Sequence, residues 1–228
     1  MKPLIQYIQE KLIIKKNKAT NYKYFPKTKE ELKNIILQRI EQEGNKVDLN
    51  DIDVSNVTNM SNLFRYLDSF NGDISNWDVS NVTDMHNMFD GCKSFNQDIS
   101  DWDVSNVTDM FNVFGGCKEF NQNISNWDVS NVTDMFSMFY NCRCFNQDIS
   151  NWDVSKVKNM SFMFHGCKYF NQDISQWDVS NVNNMGGMFC NCENFNQDIS
   201  NWDVSNIIYK DDIFYGCKIE EKHKPKFK

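Results

Sequence analysis

Residues 77–101 read WDVSNVTDMHNMFDGCKSFNQDISD, and residues 102–126 read WDVSNVTDMFNVFGGCKEFNQNISN. The side chains come in the same order in both segments, and the chain keeps that order every 25 residues. Trp77, Trp102, Trp127, Trp152, Trp177 and Trp202 mark the interval, as do Cys92, Cys117, Cys142, Cys167, Cys192 and Cys217. Phe64, Phe89, Phe114, Phe139, Phe164, Phe189 and Phe214 carry it through seven units without an insertion. A fixed period of this length marks a repeat architecture, in which one unit cannot bury its apolar face alone and stacked units can.

Within a unit, Ile74, Trp77, Val79 and Val82 give a pattern whose centre alternates with period two. It predicts a short strand at Trp77–Val79 with Asp78 on the other face. Met85, Met88, Phe89, Cys92 and Phe95 recur at three and four, which predicts a short helix or 3₁₀ turn. Ser80 or Thr83 is placed to cap it and Gly91 to stop it. The expected fold is therefore an α/β repeat, a right-handed solenoid or shallow horseshoe of about seven 25-residue coils over residues 48–218. Neighbouring strands would lie about 4.8 Å apart, so identical side chains would form columns through the core.

The ends depart from the repeat. Residues 1–47 are expected to form an N-terminal helical cap. Leu4, Ile5, Ile8 and Leu12 would make one helix face, with Leu12–Ile14 passing into a strand. Pro26 precedes Thr28-Lys29-Glu30-Glu31, a capping-box pattern. Leu32, Ile35, Ile36, Ile40 and Gly44 then predict a helix of about four turns, its apolar face on the Leu49–Phe64 coil. At the other end Lys210 replaces the expected Met, and residues 219–228 form a charged tail. That thin cap marks the C-terminal end as a place for a partner or a second copy.

The runs N-W-D-V-S-N-V-T-D-M and F-N-Q-D-I-S resemble those of the BspA-like, mycoplasma-type leucine-rich-repeat family of bacterial surface proteins. The resemblance covers about three quarters of the chain. It implies a leucine-rich-repeat-like solenoid, a role in binding or adhesion, and no catalytic residues. The repeats are also similar to those of phage and mobile-element proteins. Unlike the surface proteins, this sequence shows no export signal, and its first cysteine is Cys92.

Composition narrows the function classes. A net charge of −7 disfavours nucleic acid and anionic membranes as partners. No window approaches the ~18 apolar residues of a membrane span, so a cytoplasmic location is expected. No phosphate-binding glycine loop, zinc-protease motif or nucleophile elbow is present, and the three histidines His86, His165 and His223 are scattered. An enzyme is not expected, nor a cofactor or a bound metal.

Three columns attract attention. The cysteine column sits at core spacing, so buried thiols are favoured over disulfides or zinc, even with Cys144 and Cys190 making C-x-C pairs. Asp78, Asp103, Asp128, Asp153 and Asp178, with Asp53 and Asp203 at the ends, form an acidic column. It either closes turns by accepting local hydrogen bonds or binds cations or a basic partner as a ladder. The third feature is where the copies differ: the two residues after the first Met, the residue after Phe, and the residue before the next Phe. On a helix these fall on one outward face, bearing Phe111, Phe136, Tyr140, Phe162, His165 and Tyr169. Outward aromatics are typical interface anchors, so these six are the candidate partner-binding residues. The function expected is protein–protein recognition without catalysis. The alternatives are a structural or virion assembly component and an exported adhesin, with self-association through the C-terminal end.

Overall fold

Apolar residues three apart in this chain are the corners of consecutive turns, and no helix is needed to space them. In the computed structural model, which describes residues 21–227, the unit at Ile74 is closed by i→i+3 hydrogen bonds. Trp77 N–H donates to the Ile74 carbonyl, Val82 to Val79, Met88 to Met85, Cys92 to Phe89 and Phe95 to Cys92. Every one of those corner side chains is buried. The strand expected at Trp77–Val79 and the helix expected over Met85–Phe95 do not form, so the unit is mostly turn rather than α/β. The reason is geometric. A repeat unit that closes one coil must bend again and again, and successive turns aim an apolar side chain inward at each bend. A helix would bury only one stripe.

Coils stack in parallel and in register. Asn59, Asp84, Asp109, Asp134, Asn159, Asn184 and Tyr209, which hold the same place in successive coils, are joined by parallel bridges. Around these bridges the backbone sorts its polar groups. The amides of Met85, Asn87, Phe89 and Gly91 all donate forward, to the carbonyls of Asp109, Phe111, Val113 and Gly115 in the next coil. The same set repeats in the other coils, for example from Met185, Gly187, Phe189 and Asn191 to Tyr209, Asp211, Ile213 and Tyr215. Such one-sided amides need alternating backbone handedness, and Asn87 (φ 54°) and Gly91 (φ 78°) supply the left-handed residues. In this ribbon amides thus face the C-terminal end of the stack and carbonyls the N-terminal end, whereas the Thr83 N–H just before it donates back to the Thr58 carbonyl.

Side-chain ladders fill and tie the coils. Phe64 to Phe214 stack in one column at 5.2–5.8 Å, and Phe70 to Phe195 in a second at 5.9–6.1 Å. Each buried Trp Nε1–H donates to a carbonyl in the preceding coil, as from Trp127 to Ile99 at 3.1 Å. Each column Cys donates Sγ–H likewise, as from Cys142 to the Phe114 carbonyl at 2.8 Å. The return loop is held by an asparagine ladder, with Asn121 N–H donating to the Asn96 side chain at 2.9 Å and Gln122 Nε2 to the same oxygen at 3.0 Å. These ladders satisfy groups that isolated bridges leave unpaired.

Helix α1, Lys29–Glu43, covers the N-terminal end. Thr28 Oγ1 accepts from Glu31 N–H at 3.2 Å, as the capping pattern predicts, while the Glu31 carboxylate accepts from Lys27 N–H at 2.7 Å, one residue before the N-cap. Gly44, at φ 90°, ends it. Leu32 and Ile36 are fully buried. Arg39 anchors the helix to the first coil, donating to Asp51 at 2.8 Å and to the Asp48 carbonyl at 2.9 Å. Lys29 and Lys33 reach Ser61 and the Asn62 carbonyl, bringing cations to the carbonyl end of the ladder. The helix and strand expected from Leu4 to Ile14 lie outside the described residues. No helix among the described residues is long and apolar enough to cross a membrane.

The tryptophan ladder gives the first prediction. Trp127→Phe keeps an aromatic ring but removes one of the two donors to the buried Ile99 carbonyl, which keeps the Trp102 N–H, and opens a small void. It should destabilise the protein by about 2 kcal/mol in urea unfolding, with the native circular dichroism unchanged.

Candidate functional site

The ribbon of one-sided amides has an outer face, and on it the aromatic residues meet. Phe111 and Phe136 occupy the same place in adjacent coils and stack at 4.6 Å. Phe162, in the next coil, turns its ring edge onto Phe136 at 5.9 Å. Tyr140 and His165 stack at 4.8 Å, and His165 lies 5.9 Å from Phe162. Five of the six candidate residues therefore form one continuous strip. Tyr169 is half exposed, and among the described residues it makes no ring contact with the others. The strip exists without the helix from which it was expected, because the positions between the buried Met and Phe corners face outward and coil spacing suits ring stacking.

Phe162 stands out energetically. It holds φ 56°, in a place where the other coils have Asn, Ser, Gly or Asp. The left-handed region costs a side-chain-bearing residue about 1–2 kcal/mol. The ring also lies against Gly187, where an added Cβ would come within 2.5 Å of it. Yet Phe162 remains 38% exposed. Tyr66 combines the same two costs, at φ 62° and 63% exposed, but lies against Arg65; Phe162 differs in meeting the rings of Phe136 and His165. In the same strip, His165 Nδ1 is buried without a hydrogen-bond partner, and burial lowers the pKa of its imidazole, favouring the neutral form.

The acidic column of Asp78 is not mid-strand. Asp78 accepts from Ser80 N–H and Oγ–H at 3.2 and 2.6 Å, and Asp103 from Ser105 at 3.2 and 2.7 Å. Asp128, Asp153 and Asp178 each accept from the amide two residues on at 3.0 Å. Each closes a turn, and the Ser155 bonds hold the Asp153 carboxyl below the usual range. The cysteine column is buried except at Cys217, which is partly exposed; all eight thiols are unbridged, and burial pushes the Cys142 thiol well up. Cys142 is fully buried while Cys144 is only partly so, which separates the members of that C-x-C pair.

A second acidic column carries more charge into the strip than the sequence pattern suggested. Asp84, Asp109 and Asp134 sit at the bridging position, two residues before His86, Phe111 and Phe136. Burial, with Asp84 and Asp134 on either side, holds the Asp109 carboxyl above its ordinary range despite the Phe111 amide bond and the nearby His86. The signal was present in the sequence as alternation between Asp and Asn at one position of an otherwise constant unit. Asp84, His86 and Asp109 bring potential ligand atoms within 4.8 Å of one another. The imidazole, however, is engaged on both sides, with Nδ1 2.9 Å from Asp84 and Nε2 3.1 Å from the Asn62 amide. Both ring nitrogens thus already have partners within the chain.

The model of a family described as "Mycoplasma protein of unknown function, DUF285" matches residues 31–148 and again 112–227. No curated protein and no solved structure matches the chain.

The raised Asp109 carboxyl makes the second prediction. A folded-state pKa above the unfolded value costs stability at neutral pH, and the cost fades as pH falls through the folded value. Asp109→Asn should therefore stabilise the protein near pH 7 by roughly 0.5 kcal/mol, a figure already discounted for solvent screening. The gain should shrink toward pH 4 in urea titrations run across pH.

Proposed function

Because the chain belongs to the DUF285 family of mycoplasma-type proteins, its role has to be read from its own surface, and we propose a non-enzymatic protein-binding module that recognises its partner through the strip of Phe111, Phe136, Tyr140, Phe162 and His165. The observation that carries this reading is Phe162, held in a strained conformation and still exposed. Every column with a structural task is constant or nearly so, and the strip is assembled from the positions that vary. A stack tied by ladders on every side presents these rings with little motion left to lose, which lowers the entropic cost of docking. The in-register coils, the asparagine ladder and the capping helix support a leucine-rich-repeat-like, right-handed solenoid of the BspA type. The constant columns place equivalent groups in equivalent surroundings, which argues against the paired unlike environments that acid–base catalysis uses.

A second reading has its own observation. In the last coil, Ile208, Tyr209 and Tyr215 are 60–69% exposed. Beside them the amides of Asp212, Phe214 and Gly216, on the forward edge of the ribbon, have no acceptor among the described residues. An open donor edge with apolar flanks favours assembly with another chain at that end.

One experiment separates the two. Tagged protein and its Phe111→Ser/Phe136→Ser/Phe162→Ser variant are compared by capture from native lysate, and both are sized by light scattering. The strip reading expects a stoichiometric partner lost in the variant, with the unfolding midpoint lowered little. A variant that no longer folds would make these rings core and overturn it. Self-assembly shared by both proteins, with no captured partner, would move the function to the C-terminal edge.

A further inference from the structure

Beside the aromatic strip runs a row of negative charge that the fold does not require. At the bridging position the side chain has one backbone task, to accept from the N–H two residues on. Asp84, Asp109 and Asp134 do this for His86, Phe111 and Phe136 at 3.0, 2.8 and 2.7 Å. Asn59, Asn159 and Asn184 do it equally well for Ser61, Ser161 and Gly186, at 2.9, 3.1 and 3.1 Å. An amide also gives something back. Asn59 donates to Asp84 at 2.9 Å, and Asn159 reaches Asp134 at 3.4 Å. Three carboxylates in adjacent coils instead repel one another. The Asp109 carboxylate, in the middle, has the Phe111 amide as its one hydrogen-bond donor among the described residues.

The charge follows the aromatics coil by coil. Where the residue two places on is Phe111, Phe136 or His86, the bridging residue is Asp; where it is Ser61, Ser161 or Gly186, the bridging residue is Asn. A row of carboxylates found only where a ring stands beside it, with Asp109 at its centre lacking a side-chain donor among the described residues, belongs to the surface that the rings make. A ring face and an adjacent carboxylate together suit a cationic side chain, which gains a cation–π contact and an ion pair in one place. The net charge of −7 adds long-range attraction of the same sign.

We propose that the strip binds a basic segment of a protein partner, with Lys or Arg side chains lying against Phe111 and Phe136 and their cationic heads at Asp109 and Asp134. This rests on the strip being an interface and specifies the chemistry of what it meets. The row of three carboxylates along the stack suits successive basic residues on an extended chain.

Fluorescence anisotropy tests it with labelled peptides of alternating Arg and Gly, their Lys counterparts and their Glu counterparts. The protein should bind the two basic peptides and not the acidic one, and binding should weaken as salt rises to about 0.5 M. Asp109→Asn/Asp134→Asn should raise Kd about tenfold while melting no lower than the parent protein. Asp128→Asn/Asp178→Asn removes the same charge at turns outside the strip and should change Kd by less than about twofold. Equal losses in the two double variants, or no binding of either basic peptide, would overturn the proposal. So would a sub-millimolar Ca²⁺ isotherm abolished by Asp109→Asn/Asp134→Asn, which would make the row a metal site. If the triple Phe variant loses its cellular partner while Asp109→Asn/Asp134→Asn keeps it, the strip remains an interface and the basic partner is ruled out.

Discussion

Amides of one coil donating to carbonyls of the next hold the register on which the rest of this molecule depends. In the second coil they come from Met85, Asn87, Phe89 and Gly91. Each bond contributes only about 1 kcal/mol net, far less than burying a phenylalanine. Its importance is positional. If the register slipped by a residue, every Trp would lose its carbonyl, every Cys its acceptor and every Phe its stacking partner at once. The cooperativity of the ladders, more than the strength of any rung, makes a chain of turns behave as a rigid body.

The same ladder gives the stack a direction. With amides facing one end and carbonyls the other, the two ends are chemically different before any side chain is considered. The carbonyl end lies under α1, where Lys29 and Lys33 meet Ser61 and Asn62. The amide end closes against Ile219 and the short 3₁₀ turn Glu221–His223, with Ile199 N–H donating to the His223 carbonyl at 3.0 Å. That contact covers only part of the edge. The repeat thus builds its sides uniformly and leaves its ends to non-repetitive sequence.

Function, on this reading, occupies the positions the ladders release. The ribbon turns outward the positions between its buried Met and Phe corners, and those positions carry little structural duty, so Phe111, Phe136, Tyr140 and His165 can vary without disturbing the core. Phe162 and Asp109 are different, because both work against stability, one through backbone strain and the other through charge. The ring contacts that run from Phe111 through Phe136 to Phe162 and His165 are what distinguish this surface from a scatter of exposed rings.

The sequence by itself determined the repeat length, the seven-fold register, the core columns, the capping box of α1 and the identity of the outward aromatics. Each of these is written as a period or a local motif, and a period survives any choice of backbone path. Only the tertiary structure decided how each unit travels. Spacings of three and four fit a helix, a 3₁₀ turn and a run of β-turns alike, and the choice fell to turns because each coil must close on itself and hydrogen-bond along the stack. That choice moved Asp78 from a strand into a turn and placed Asp109 beside Phe111. Carboxylates a whole repeat apart become neighbours only when coils stack, so the chain shows Asp and Asn varying at one repeat position, and stacking makes that variation a row of charge along the strip.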